Sequence, residues 1–263
     1  MSTRPSNQDR VSKLSFRKDE MSNSLRESEA RVTLKALESS YCPEPIKEAR
    51  ERQDEILIER FRGRPYVIAD IGCGTGYHGS IFAPTCRLYH GFELSTDISA
   101  VSQDRWRREG LNNTELFLGD ATQVNLPDNF YDLVFCLYFT PGNLREPSTD
   151  LSLYTDAYLD ENPSFIAIFS KFYRALKPDG LMFLTIYKDI PEAEEAQIDF
   201  YEHTDQRVVT PRGGRFVATA ENFWSARWTE ESLLSNLKAC GIAEDHVMFC
   251  DLNHIAWFVE ISK

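Results

Sequence analysis

The stretch Val67 to Ser80, VIADIGCGTGYHGS, ends an apolar run with an acid, Asp70, followed by the alternating glycines Gly72, Gly74 and Gly76. Glycines at this spacing let the backbone bend tightly and approach a ligand where any side chain would collide. Gly74, Gly76 and Gly79 also satisfy G-x-G-x-x-G, so the turn alone admits a dinucleotide as well as another nucleotide-like ligand. Glu93, at the end of LYHGFEL, has the distance from the turn expected of a carboxylate that accepts ribose hydroxyls, a role that also fits a nucleoside without phosphate. Two further acids separate the readings. An anion at Asp70 would repel pyrophosphate but pair with the ammonium group of an amino-acid tail, directly or through water. Asp120, in LFLGDAT, can accept a hydrogen bond from an exocyclic adenine amine. The set favours a cationic adenosine derivative.

These residues need strand ends to hold them. From Tyr66 onward the chain alternates short apolar runs with helical stretches: strands at Tyr66–Ile71, Leu88–Glu93, Glu115–Leu118, Tyr131–Phe139 and Leu181–Tyr187, then a closing pair at Val247–Asp251 and Ala256–Ile261. Between them lie helical segments at Tyr77–Phe82 and Thr96–Glu109, a helix in PSFIAIFSKFYRALKPDG stopped by Pro178 and Gly180, and a capped helix at Thr229–Cys240. Strand and helix in alternation imply an α/β fold with a doubly wound, mostly parallel seven-stranded sheet and helices on both faces. In such sheets the ligand lies beyond the carboxyl ends of the strands. The segments Ser22–Ser39 and Glu44–Phe61 are expected as two amphipathic helices that either cover the sheet or form part of a substrate lid.

The motifs resemble those of the class I methyltransferases that use S-adenosylmethionine. VIADIGCGTG is similar to their first motif, HGFELS to the acidic second, LFLGDATQVNLPDNFYDLVFCLY to the third and fourth, and FYRALKPDGLMFLTI to the helix and strand that follow; MFCDLNHIAWFVEIS suits their last two strands, the final one antiparallel. The resemblance implies that Gly72, Gly74 and Gly76 floor the cofactor site, Asp70 orients the methionine portion and Glu93 binds both ribose hydroxyls. It also implies that Asp120 meets the adenine amine, Ala121 the ring edge through its backbone, and that Leu94 packs on adenine. Residues 1–62 would be a polar tail with a helical lid extension. Residues 63–263 would be the cofactor domain, with insertions at about 141–163 and 188–228.

The acceptor leaves a fainter trace. In the second insertion, residues 207–220 have strand-like residues on either side of Gly213-Gly214, a hairpin signal. This N-terminal helical extension and hairpin insertion would select the acceptor, with Arg212 and Arg215 meeting an anionic group; the hairpin's alternative is an oligomer contact, which leaves a homodimer open. Aromatics including Tyr138, Tyr187, Phe200, Phe223 and Trp224 could wall a pocket for a flat or cationic acceptor. Methyl transfer needs a base only if the nucleophile arrives protonated; His203, Glu202, Tyr138 and Tyr41 are the candidates, and no family signature carries a catalytic residue over. The expected activity is transfer to N or O of a small-molecule metabolite. Its alternatives are a protein or peptide methyltransferase and a non-catalytic cofactor-binding regulatory subunit.

Composition sets the outer limits. The formal charge of −12 opposes the electrostatic attraction behind non-specific nucleic-acid binding. No apolar run approaches the ~20 residues of a membrane span, and MSTRPSNQDR carries no signal-peptide apolar segment, so no membrane partner and a cytoplasmic location are expected. The 6 cysteines include no C-x-x-C pair and the 5 histidines are scattered, so no metal site is expected.

Overall fold

Apolar runs without alternation belong to strands buried on both faces, and Val67–Ile71 (β1) is buried at every position. The structure, a computed structural model, describes residues 15–16, 41–146, 155–221 and 223–263. The remaining strands are β2 (Leu88–Glu93), β3 (Thr114–Leu118), β4 (Tyr131–Cys136), β5 (Leu176–Lys188), β6 (Phe216–Ala218), β7 (Trp224–Trp228), β8 (Val247–Asn253) and β9 (Ala256–Ser262). The main sheet runs β8-β9-β5-β4-β1-β2-β3. β3, β2, β1, β4 and β5 are mutually parallel, and β9 runs antiparallel between β5 and β8. β7 adds in parallel at the end of β5, and β6 pairs antiparallel with β7. A two-residue ladder joins Ser15–Phe16 to Val124–Asn125.

Helices cover both faces. α1 (Glu44–Phe61), α2 (Tyr77–Phe82), α3 (Thr96–Arg108) and α6 (Pro191–His203) pack one side, with Phe82, Trp106 and Phe200 among residues such as Ile68, Leu133 and Phe183. α5 (Pro163–Ala175) and α7 (Glu230–Ala239) pack the other, against Val67, Val134 and Leu184. A short helix, α4 (Asp156–Asp160), precedes α5. Capping fixes where several begin: Ser95 accepts from the Ile98 N–H, Asn162 from the Phe165 N–H with Pro163 at the first turn, and Thr229 forms a capping box with Ser232. Among the described residues no helix is long and apolar enough to cross a membrane.

The elements depart from the sequence reading in three places. β4 ends at Cys136 instead of Phe139, because Tyr138 and Phe139 turn into the left-handed region at φ 51° and 66°, a conformation that costs a non-glycine residue energy. β5 begins at Leu176, so Lys177-Pro178-Asp179-Gly180 lies inside the strand as an irregularity, with Asp179 at φ 64° and the Asp179 and Lys263 amides bonded to the Lys263 and Gly180 carbonyls. In the 207–220 hairpin, Val208 faces Thr219, the register centred on Gly213-Gly214, but β6 makes its ladder with β7 instead. The expected Ser22–Ser39 helix lies outside the described residues; the Glu44–Phe61 helix is α1, which buries Ile46, Ala49, Gln53, Leu57 and Phe61.

Candidate functional site

Strand order reverses between β1 and β4, and a crevice opens at their carboxyl ends. A cavity there is lined by the turn from Asp70 to Thr75, by Glu93 to Ser95, by Gly119 to Thr122 and by Leu137 to Thr140. All eight residues expected at the cofactor except Gly76 line it: Asp70, Gly72, Gly74, Glu93, Leu94, Asp120 and Ala121.

The glycine turn is held by the protein's own packing. Gly72, Gly74 and Gly76 all have positive φ, at 68°, 55° and 75°. A Cβ on Gly72 would lie 2.5 Å from Thr140 Cγ2, and one on Gly76 would lie 2.7 Å from Trp106 Nε1, which donates to the Gly76 carbonyl at 2.8 Å. Gly76 thus serves the seam between α2 and α3, while Gly72 and Gly74 face the cavity. The Ser102 hydroxyl donates to the Gly74 carbonyl and anchors the bend from α3.

The two acids behind the turn differ. Glu93 accepts from the backbone N–H groups of Gly74 at 3.1 Å, Leu94 at 2.8 Å and Ser95 at 3.0 Å, so its carboxylate ties the turn to the end of β2. Burial raises its pKa against the pull of those N–H groups. Asp70 is 1% exposed and takes one side-chain hydrogen bond, from the Tyr89 hydroxyl at 2.5 Å. Burial pushes its pKa up to about 6, opposed by the charge of His78 and the Tyr89 bond. No lysine or arginine among the described residues pairs with it. Asp120 caps the short turn Ala121–Gln123 by accepting from the Thr122 N–H at 2.8 Å.

The cavity continues past the turn into an aromatic half bounded by Tyr77, Tyr138, Phe139, Tyr187, Phe200, Tyr201, Phe223 and Trp224. Phe139 and Tyr187 stack at 3.7 Å, which holds the left-handed Phe139 in place. Of the four candidate bases, Tyr138 alone lines the cavity. Its hydroxyl donates to Asp54, whose other oxygen meets His78 Nε2 at 3.0 Å, and its N–H donates to Gln53 Oε1 at 3.3 Å. Burial and the neighbouring Asp54 charge push the Tyr138 phenol well above its ordinary range. Glu202 is exposed. His203 stacks on Tyr41 at 3.9 Å, and both bond Asp199, on the outer side of α6 and away from the lining. Arg212 pairs with Glu195, and Arg215 with Asp160, so neither lines the cavity; Arg50 and Arg145 do.

Reading Glu44–Phe61 as an amphipathic helix singles out neither Gln53 nor Asp54. The signal was present: Gln53 stands on the stripe of Ile46, Ala49, Leu57 and Phe61, where an apolar residue is expected.

Comparison with known proteins places this geometry. Residues 68–180 match the family model of a methyltransferase domain. The chain is 26% identical over 172 residues to a demethylmenaquinone methyltransferase of Listeria welshimeri, covering 63% of this chain and 61% of that one. It is also 26% identical over 137 residues to phosphoethanolamine N-methyltransferase 2 of Caenorhabditis elegans, covering 50% of this chain and 26% of that one; it spans less than two thirds of either relative. The fold matches that of DhpI in its complex with SAH at a TM-score of 0.57 and 18% identity, over 91% of this chain and 97% of that one. Residues 68–180 thus match a methyltransferase domain, and the strand order and the acid-and-glycine turn at its switch point are similar to those of the class I S-adenosylmethionine-dependent methyltransferases.

Proposed function

We propose that the protein transfers a methyl group from S-adenosylmethionine to a nitrogen or oxygen of a small molecule held in the aromatic half of the cavity. The observation that carries this reading is Asp70, a buried carboxylate on the cavity wall with which no lysine or arginine among the described residues pairs. A cationic ligand would relieve its desolvation, and the residues fit the cofactor: Asp70 would take the ammonium group, Glu93 the ribose hydroxyls, Leu94 a face of the adenine, and Asp120 with the Ala121 backbone its edge. The named small-molecule activities of the two relatives support an acceptor of that class.

When bound, the cofactor supplies an electrophilic methyl on a positively charged sulfur. Transfer then depends on holding the nucleophile in line at short distance and excluding water. Tyr138 is placed to do the first. Its phenol stays protonated and donates to Asp54, leaving its oxygen to accept from an N–H or O–H of the acceptor, so it orients the nucleophile and does not take its proton. Phe200, Tyr201, Phe223 and Trp224 wall the acceptor half. The test is incubation of the full chain with methyl-labelled cofactor and a metabolite extract. Label should appear in a small-molecule fraction; label in protein alone would replace the acceptor class, and no label with intact cofactor binding would make the protein a binder.

A further inference from the structure

The acceptor half has an asymmetric charge. The carboxylates lining the cavity, Asp70, Glu93 and Asp120, are those of the glycine turn and the strand ends beside it, while Arg50 stands among the rings of the aromatic half. Arg50 lies over the ring of Tyr138 at 4.9 Å and that of Phe200 at 5.6 Å. Its one hydrogen bond among the described residues is a weak one from Nη1 to Cys42 Sγ at 3.9 Å, and its buried Nε–H has no partner. No carboxylate among the described residues pairs with it, although Asp54 lies one turn along α1: the Asp54 oxygens are engaged by Tyr138 and His78.

A planar guanidinium clamped between two rings, with a buried donor unsatisfied, is preorganised for an oxyanion. The same placement argues against a cationic acceptor, because the ring faces that would attract one already hold Arg50. Resting on the cofactor and acceptor reading above, we propose that the acceptor is an apolar or aromatic small molecule bearing a carboxylate or phosphate monoester, and that Arg50 binds this group by its Nε edge. The oxyanion is a handle, fixing one end of a body walled by Phe200, Tyr201 and Trp224 so that its nucleophile reaches the cofactor half.

The test uses matched probes of one shape: benzoate, phenyl phosphate, benzamide and benzylamine, titrated calorimetrically into the full chain with and without saturating S-adenosylhomocysteine. One or both anions should bind more tightly than the amide and the amine. Benzoate alone would identify a carboxylate, phenyl phosphate alone a phosphate ester. Arg50→Met should weaken the anions by on the order of tenfold or more without changing S-adenosylhomocysteine affinity, which also reports that the variant is folded. Arg50→Lys, which keeps the charge and loses the fork, should fall between the two. Equal or tighter binding of benzamide or benzylamine, no binding of either anion, or anion affinity unaffected by Arg50→Met would each overturn the proposal. Failure of S-adenosylhomocysteine to bind would instead overturn the cofactor reading and leave the anion arms, measured without it, to decide the handle.

Discussion

Asp70 and Glu93 are both buried acids at the glycine turn, and their partners predict different behaviour. The Asp70 carboxyl, raised to about 6, faces Tyr89 from β2, His78 from α2, and Cys73 and Glu93 around the turn. Because its folded pKa exceeds the unfolded value, the folded protein holds this proton more tightly; the contribution to stability is full below the unfolded pKa and falls as pH rises toward 6. Over that span it amounts to about 3 kcal/mol. A cationic ligand reverses the preference, since it needs the ionised form. Cofactor affinity should therefore drop as pH falls through about 6, and Asp70→Asn should remove that step; calorimetric titrations of both proteins between pH 5 and 8 would check it. Glu93 is different. Glu93→Ala strands three backbone N–H groups, so it should cost about 1–3 kcal/mol of stability even without cofactor, as well as weakening cofactor binding. A melting temperature equal to that of the unaltered protein in ligand-free buffer would contradict this.

Among the elements, the 207–220 hairpin is tied to the body of the protein by a buried polar cluster. Arg227, 2% exposed on β7, donates to Gln197 at 2.8 Å and to the Gly214 carbonyl, and lies 3.4 Å from Asp189 and 3.5 Å from Glu194. Glu194 in turn accepts from the Gly213 N–H at 2.9 Å. Removing one member of such a cluster leaves buried charge uncompensated, so Arg227→Met should destabilise by about 3–5 kcal/mol, measurable by urea unfolding, whereas Arg212→Gln at the exposed tip should change stability by about 1 kcal/mol or less. No residue of 207–220 lines the cavity; only the flanking Gln206 and Phe223 to Ser225 do, so the expected acceptor-selecting role of the hairpin has no contact with the site behind it. What was legible beforehand follows from local rules. The glycine turn, the strand-end acids and the cap at Thr229 depend on neighbours a few residues away, and the alternation of strand and helix is itself a periodicity. What was not legible depends on distant pairing. Tyr138 meets Asp54, 84 positions earlier, and Thr185 meets Gln53 across 132. Arg50 likewise meets Phe200 only through the fold. The end of β4 was misjudged for the same reason, because Gln53 captures the Tyr138 N–H that would have continued the strand.

At the scale of the whole molecule, the formal charge of −12 acts on both ligands before any contact forms. S-adenosylmethionine carries one net positive charge, from sulfonium and ammonium against one carboxylate; transfer of the methyl removes the sulfonium charge and leaves a product with none. On the proposed reaction the acidic protein attracts the donor and is indifferent to the spent product, an effect that would help exchange one for the other after each turnover. Spread over a sphere with a radius of about 20 Å, that charge gives a surface potential worth roughly 1 kcal/mol per unit charge in dilute salt and about half of that at 0.3 M. Raising the salt from about 20 mM to about 300 mM should thus weaken S-adenosylmethionine binding by roughly two- to threefold while S-adenosylhomocysteine stays nearly constant. Parallel titrations across that range would check it. Equal loss for both ligands would mean that ions compete locally, at Asp70 and Glu93, and that the distributed charge of the protein has no part in selecting donor over product.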